Sequence, residues 1–510
     1  MAQQAFNIET AKVDQQLFYR IPHKFLEENR VIPIVEPEPG VVQIAMADPD
    51  NIELVDEIQR ILNARLAIEK APEQKILAAI ERCRSGDAQS VEKVIEELTQ
   101  DDIQILGNIR KDQEGVDVAN EAPIIKLVNL VIWNALQSRA SDIHIEPFEN
   151  QLIVRYRVDG VLHEASYPPH NLHAAIISRI KIMADLDISE RRTTQDGRIQ
   201  IKLGKREIDI RVSIMPTVWG ENVVMRLLDK TGLTLDLTDL GFEAETLTIF
   251  KSLLRTSHGI VLVTGPTGSG KTTTLYSGLK LLNKPDVKIL TIEDPVEYQM
   301  PGVNQIHVNP KVGLTFGHGL RSILRQDPDI VMVGEIRDLE TAETAVQASL
   351  TGHLVFSTLH TNDAASAITR LIDMGVEPYL ITSSVIGVLA QRLVRVLCPH
   401  CKQPYETDSE EYIERLMLPT GTVPTGKQVY YRSVGCDKCR ETGFAGQLGL
   451  FELMRMTETV KKLTLQRSAS YELKKQAIAD GLITLQHDGW KKARAGVTTL
   501  EEVLSATEEA

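Results

Sequence analysis

The run GPTGSGKTT, Gly265 to Thr273, constrains this chain more than any other stretch. It fits G-x-x-x-x-G-K-[ST], follows the strand-like GIVLVT and precedes the helix-like TTTLYSGLKLL, which is the context the pattern requires. Gly265, Gly268 and Gly270 let successive N–H groups turn inward around phosphate oxygens, and the positive end of the next helix adds attraction. Pro266, Thr267 and Ser269 complete a nucleotide loop over residues 265–272. Lys271 is placed to reach the outer phosphates, and the Thr272 hydroxyl to hold Mg²⁺. A flexible Gly-rich turn is the bland alternative, and the strand, lysine and threonine in register speak against it. The expected ligand is ATP.

The surrounding sequence alternates apolar runs, GIVLVTG, KILTIED, DIVMVGE and HLVFSTLH, with helical stretches. That alternation argues for a mostly parallel sheet flanked by helices, with its ligand at the carboxyl edge of the strands. In IVMVGEIRD the buried strand ends in Gly334 and Glu335, where many nucleotide-driven enzymes carry an aspartate. Glu335 at that edge is suited to orient or deprotonate an attacking water. Further acids, Glu293, Asp294 and Glu297, follow KILTI in TIEDPVEY and are expected to position water or metal, although clustered acids are often simply solvated. His353 and His360 flank another strand. Ser357, Thr358, Thr361 and Asn362 crowd around His360, which reads as a sensor of the terminal phosphate, with a structural histidine as the alternative. Arg321 and Arg325 stand four apart on an expected helix face, a repulsion that an anion, either phosphate or a facing carboxylate, would offset; a solvated face is the bland alternative.

Five cysteines include two close pairs, CPHC (Cys398, Cys401) and CDKC (Cys436, Cys439); Cys83 stands alone. Paired C-x-x-C knuckles give a four-thiolate tetrahedral site typical of structural Zn²⁺, with no open position for catalysis. His400, inside the first knuckle, is not expected to be a ligand.

Upstream, VVQIAMAD and the Ile52, Val55, Ile58, Leu62 stripe make a small α/β module without catalytic residues. A polar stretch from Gly107 to Pro123 reads as a linker. Next come a helix opened by Pro123 and several strands. Ile208, Ile210, Val212 and Ile214 share one strand face, and Arg226 shares another with Val224 and Leu228. At about 150 residues per domain, 510 residues suggest about three domains. Lys and Arg total 56 against 70 Asp and Glu, a net charge of −14 that gives no support to general nucleic-acid binding. The start shows no secretory signal, and no run is apolar enough to span a membrane, so a cytoplasmic location is expected. One helix is expected from Thr499, with Glu502 completing a capping box.

SDIHIEP, GPTGSGKTTTLY, TIEDPVEY, GLRSILRQDPDIVMVGEIRD, TGHLVFSTLHTNDA and AQRLVRVLCPHC together resemble the type II/type IV secretion ATPases, and within them the general secretion pathway E group. The resemblance covers nearly the whole chain. It implies a multidomain α/β architecture: an N-terminal α/β docking domain over 1–105, a linker over 106–120, a strand-rich PAS-like domain over 121–230, a joint over 231–241, and a RecA-like ATPase domain over 242–510. The last includes a zinc-binding insertion over 398–439 and C-terminal helices. It implies a homo-hexameric motor on the cytoplasmic face of the bacterial inner membrane, driving pseudopilus assembly and export of folded proteins. The partners implied are an inner-membrane L-type protein, met through the first domain, and an inner-membrane platform protein, so that membrane contact is indirect. Arg211 and Arg226 match positions that lend arginines to the nucleotide site, as do Arg321, Arg325, Arg337 and Arg370. A type IV pilus extension ATPase is the near alternative. A RecA-like nucleic-acid translocase with a zinc knuckle belongs to another class, and the charge and the 5% aromatic content count against it. A non-hydrolysing scaffold would need damaged catalytic residues, and Lys271, Thr272 and Glu335 are all present.

Overall fold

The computed structural model describes residues 13, 17, 21, 25–26, 29–38, 40–49, 51–62, 64–80, 104–105, 122–203, 206–229, 235–408 and 426–508. The chain forms two compact units, Met1–Leu227 and Leu228–Ala510. Cys83 and most of the expected linker lie outside the described residues.

The first unit holds two sheets. A three-stranded sheet comprises β1 (Val31–Glu38), β2 (Val41–Met46) and β3 (Arg65–Lys70), with helix α1 (Ile52–Leu62) between β2 and β3. Leu54, Ile58 and Leu62 of α1 are buried against Val42, Ile44 and Met46, as the apolar stripe requires. The second sheet has seven strands. These are β4 (Gln104–Ile105), β5 (Ala140–Pro147), β6 (Leu152–Val158), β7 (Val161–Ser166), β8 (Gln195–Leu203), β9 (Arg206–Thr217) and β10 (Gly220–Asp229), in the order β4-β8-β9-β10-β5-β6-β7. Helix α2 (Ala122–Gln137) carries Pro123 in its first turn, and α3 (His173–Met183) shares one core with it and the sheet. Gln104–Ile105 pairs with β8, so that stretch belongs to the second sheet. On β10, Val223 and Met225 face the core, which puts Arg226 on the opposite face.

The second unit is built on a seven-stranded sheet, β13-β12-β14-β15-β11-β16-β19. Its strands are β11 (Gly259–Thr264), β12 (Ile289–Glu293), β13 (Val303–His307), β14 (Ile330–Val333), β15 (Leu354–Leu359), β16 (Val385–Leu397) and β19 (Phe444–Arg455). All neighbours are parallel except β19, which runs antiparallel to β16. On β11, Ile260 and Leu262 pack into one apolar layer while Val261 and Val263 pack into another, so helices cover both faces. Those helices include α4 (Ala244–Leu254), α5 (Lys271–Leu282), α6 (Phe316–Ile323), α7 (Leu339–Leu350), α8 (Ala364–Asp373) and α9 (Pro378–Ser384). A small hairpin, β17 (Gln403–Asp408) with β18 (Lys427–Arg432), precedes β19. Helices α10 (Glu458–Leu465), α11 (Ser470–Ala479), α12 (Leu485–Arg494) and α13 (Leu500–Thr507) close the chain.

Two local expectations differ. Thr499 does cap α13 by accepting from the Glu502 N–H at 3.2 Å, but the reciprocal half of the box is not made. The Glu502 carboxylate instead takes the Arg395 backbone N–H and guanidinium, because a full charge competes better for it than a backbone donor does. Arg321 and Arg325 do not share a helix face, since α6 stops at Ile323; Arg325 donates back to the Arg321 carbonyl at 2.9 Å and Arg321 pairs with Glu340. Among the described residues no helix is long and apolar enough to cross a membrane.

Candidate functional site

Three adjacent strands, β14, β15 and β11, deliver their following loops to one carboxyl edge of the sheet. The loop after β11 is the nucleotide loop. Gly265, Gly268 and Gly270 have φ of 151°, 80° and 84°, backbone that residues with a Cβ rarely adopt. A Cβ at Gly265 would lie 2.4 Å from the Gln391 carbonyl oxygen, and one at Gly270 2.8 Å from the Gln391 amide nitrogen. The loop is therefore moulded against β16. Pro266 and Thr267 are exposed, and Thr272 is exposed at the start of α5. The buried Ser269 hydroxyl has no protein partner. Lys271 Nζ donates to the carbonyls of Gly265 at 2.8 Å and Pro266 at 2.9 Å. Burial lowers the Lys271 amine to about 8; nearby Glu335 opposes that shift and Arg392 adds to it. A compact cation at the mouth of a helix, an orphaned hydroxyl and a positive-φ glycine loop fit a polyphosphate, and the exposed Thr272 hydroxyl fits its Mg²⁺.

The loop after β14 carries Glu335, whose side chain is 13% exposed. Its Oε1 lies 2.5 Å from Arg337 and its Oε2 3.2 Å from His360 Nε2, at the end of β15. The polar groups around His360 are spent on bracing. Ser357 donates to the Val333 carbonyl at 2.9 Å, Thr358 to the Gly334 carbonyl at 2.7 Å, and the Thr361 N–H to Thr264 Oγ1 at 2.9 Å. They lock the ends of β14, β15 and β11 together and so fix His360 opposite Glu335. His353 sits at the other end of β15 and bonds the Ala348 carbonyl at 2.8 Å.

Of the acidic run that begins at the end of β12, Glu293 is 3% exposed and accepts hydrogen bonds from Tyr276, Thr291 and Gln305. Burial raises its carboxyl, and those three donors oppose the rise. Tyr276 is on α5, so Glu293 ties the helix of the nucleotide loop to β12. Glu297 is half-buried in the loop that follows, and Asp294 is exposed. Arg370 is exposed on α8.

Within the first unit, Arg211 and Arg226 line one depression of about 460 Å³ with Asp142, Asp196 and Arg198. Arg226 donates to Asp142 at 2.9 Å, on the neighbouring strand β5. Its face is thus a charged one, and its acidic partner lies across the ladder, where a reading along one strand does not look.

The four knuckle cysteines come together, their sulfurs all within 4.8 Å of one another. Cys398–Cys436, Cys401–Cys439 and Cys436–Cys439 are 4.0, 3.8 and 3.7 Å apart. Four thiolates at ~2.3 Å from a tetrahedral ion would stand about 3.8 Å apart, so the donor set fits zinc. The N–H groups of Cys436 and Gly443 both point at Cys439 Sγ at 3.2 Å, as they would toward a charged sulfur. His400 is exposed.

Sequence reasoning missed Gln391 and Arg392. Two polar residues inside the apolar run VIGVLAQRLVRVL were the available signal. Gln391 accepts from Thr274 of α5 at 2.7 Å, and Arg392 is 6% exposed beside the loop.

The family model for type II/IV secretion system proteins matches residues 117–505, and that for the MshEN domain matches residues 2–90. The chain is 46% identical over 508 residues to the type IV pilus assembly ATPase PilB of Myxococcus xanthus, covering 99% of this chain and 88% of that protein. It is 44% identical over 499 residues to the type II secretion system ATPase E of Vibrio cholerae, covering 97% and 98%. Its fold is similar to that of the ATPase DotB of Legionella pneumophila, at a TM-score of 0.56 and 19% identity over 80% of this chain and 100% of that one.

Proposed function

The chain belongs to the type II/IV secretion system protein family, and within it we propose an ATP-hydrolysing motor of type II protein secretion. The observation that carries this reading is the meeting of Lys271, Glu335 and His360 at one sheet edge beside the nucleotide loop.

In this reading Lys271 exchanges its two loop carbonyls for the outer phosphates and neutralises charge that develops on the transferred phosphoryl group. Magnesium, when bound, spreads the charge of the phosphates, and the Thr272 hydroxyl would hold it. Glu335 accepts the proton of the attacking water as the new O–P bond forms and the bond to ADP breaks. His360 orients that carboxylate and senses the terminal phosphate. Glu297 serves the water or the metal from the neighbouring loop, and Glu293 holds α5 in place through Tyr276. Arg211 and Arg226, with Arg321, Arg337 and Arg370, are assigned to phosphate charge during turnover; Arg325 reinforces the end of α6. Cys398, Cys401, Cys436 and Cys439 hold a structural zinc.

The working form we propose is a homo-hexamer at the cytoplasmic face of the inner membrane. Residues 1–105 dock on an L-type membrane protein, residues 121–230 lend the arginines, and residues 242–510 hydrolyse ATP and push on a platform protein. Pilus assembly is the second reading, favoured by the 46% identity to PilB over 99% of the chain. Disrupting the gene in its own host separates the two. Loss of exported proteins from the medium with pili retained supports secretion. Loss of pili with secretion intact overturns it.

A further inference from the structure

We propose that Arg392 is a positioning residue for hydrolysis, clamping the His360 loop to the nucleotide loop. The inference rests on the ATPase reading above and names a residue that reading does not use.

β16 runs parallel to β11 with Ala390 opposite Thr264, so Gln391 and Arg392 lie just where the nucleotide loop leaves its strand. The Gln391 carbonyl is the atom against which a Cβ at Gly265 would collide, and it also accepts from Arg392 Nη1 at 3.2 Å. The other arm, Nη2, reaches the Asn362 carbonyl at 3.0 Å and its side-chain Oδ1 at 3.2 Å. Asn362 follows Thr361, whose hydroxyl meets Thr264 Oγ1 at 2.7 Å. The contacts close a ring: Thr264, Thr361, Asn362, Arg392, Gln391 and back to Gly265. His360 projects from this ring onto Glu335.

Burying a guanidinium at 6% exposure is expensive, and its geometry says what the expense serves. A planar fork spans two backbones at once, which a lysine ammonium on a flexible stem does not do. The charge also lies close enough to Lys271 to be felt there. Two neighbouring cations make the mouth of α5 most comfortable when an anion arrives, so nucleotide binding and the seating of His360 draw on the same ring. A misplacement of about 1 Å at a reacting centre costs about 10²-fold in rate.

The test uses the full chain and compares Arg392→Lys, Arg392→Gln, Asn362→Ala and the double variant R392Q/N362A, with Lys271→Ala as the control for the site itself. Turnover should fall about 10²-fold in Arg392→Lys and Arg392→Gln, and less in Asn362→Ala, with thermal midpoint retained in all three and ATP affinity retained in the two that keep the charge, Arg392→Lys and Asn362→Ala. The double variant should be no slower than Arg392→Gln, because both changes cut one path. Normal turnover in Arg392→Lys, or losses that multiply in the double variant, overturns the proposal. So does a fall in thermal stability that accounts for the lost turnover. If Arg392→Gln does not fold, Asn362→Ala, which removes only the Oδ1 acceptor, carries the test alone, and unchanged turnover in it overturns the proposal. Normal turnover in Lys271→Ala would instead defeat the ATPase site, whatever the Arg392 variants do.

Discussion

Glu335 Oε2 lies 3.2 Å from His360 Nε2, although 25 residues separate them in the chain. The contact exists because β14 and β15 are parallel neighbours whose ends are tied by Ser357 and Thr358. In this arrangement Glu335 is held by Arg337 on one side and His360 on the other. If Glu335 is the base proposed above, its carboxylate must turn toward water, and the two contacts set how readily it is released.

Glu335→Gln keeps the shape and one hydrogen-bond acceptor but takes no proton. Its turnover should fall about 10²–10⁴-fold with ATP affinity retained. His360→Ala should lose less, because the base remains. Single-turnover hydrolysis alongside equilibrium ATP binding separates the two effects. A normally hydrolysing Glu335→Gln protein would move the base elsewhere, to Glu297 first.

Burial pushes the Lys271 amine down to about 8, below its usual value. Phosphate oxygens favour the charged amine, so its pKa rises when ATP binds. At pH 8 binding should therefore take up about half a proton per site, and uptake should fade toward pH 6, where the amine is already charged. Above pH 8 affinity should weaken as charging the amine becomes costlier. Calorimetry in buffers of different ionisation enthalpy reads the uptake directly. It should vanish in Lys271→Arg, which stays charged throughout. Equal heats in all buffers at pH 8 would show that the lysine is already charged there.

The cysteine cluster predicts about one zinc per chain, lost on Cys→Ser substitution at 398, 401, 436 or 439. The damage should be local, since the knuckle joins β16 to β19 through the β17–β18 hairpin and not through the nucleotide loop. Elemental analysis of protein purified without chelator checks the metal. Limited proteolysis should show new cleavage between β16 and β19 in the variants.

What could be read from the sequence follows how far each constraint reaches. The nucleotide loop announces itself because glycine, lysine and threonine are needed within a few residues of one another. The knuckles do so because two short spacings repeat. Glu335 and His360 were legible as strand-end residues, but their meeting depends on strand order. Gln391 acts on Thr274 from 117 residues away, and no local pattern marks that. Glu502 reads as a cap because capping is local, yet Arg395, distant in sequence, claims its carboxylate. Arg226 looked placed on an apolar face because its partner Asp142 comes 84 residues earlier.

A buried carboxyl lies behind the site. Glu452 on β19 is wholly buried, and its carboxylate accepts the N–H groups of Ala364 at 3.0 Å and Leu485 at 3.4 Å. It therefore ties the starts of α8 and α12 to the sheet. Burial raises its carboxyl, and Lys474 of α11, 3.9 Å away, opposes that. Lys474 also donates at 3.0 Å to Asp363, the residue that caps α8 and follows directly on the His360–Asn362 loop. Lys474→Met removes the cation common to both carboxylates. Leaving Glu452 and Asp363 without it should lower the denaturation midpoint. The double change Glu452→Gln with Lys474→Met should recover only part of that loss, because the Glu452 carboxylate is gone but the buried Asp363 still lacks its cation. If Lys474→Met alone is as stable as the parent, the two backbone N–H groups suffice for Glu452, and α11 is held by its apolar contacts through Leu473 and Ala477 rather than by charge.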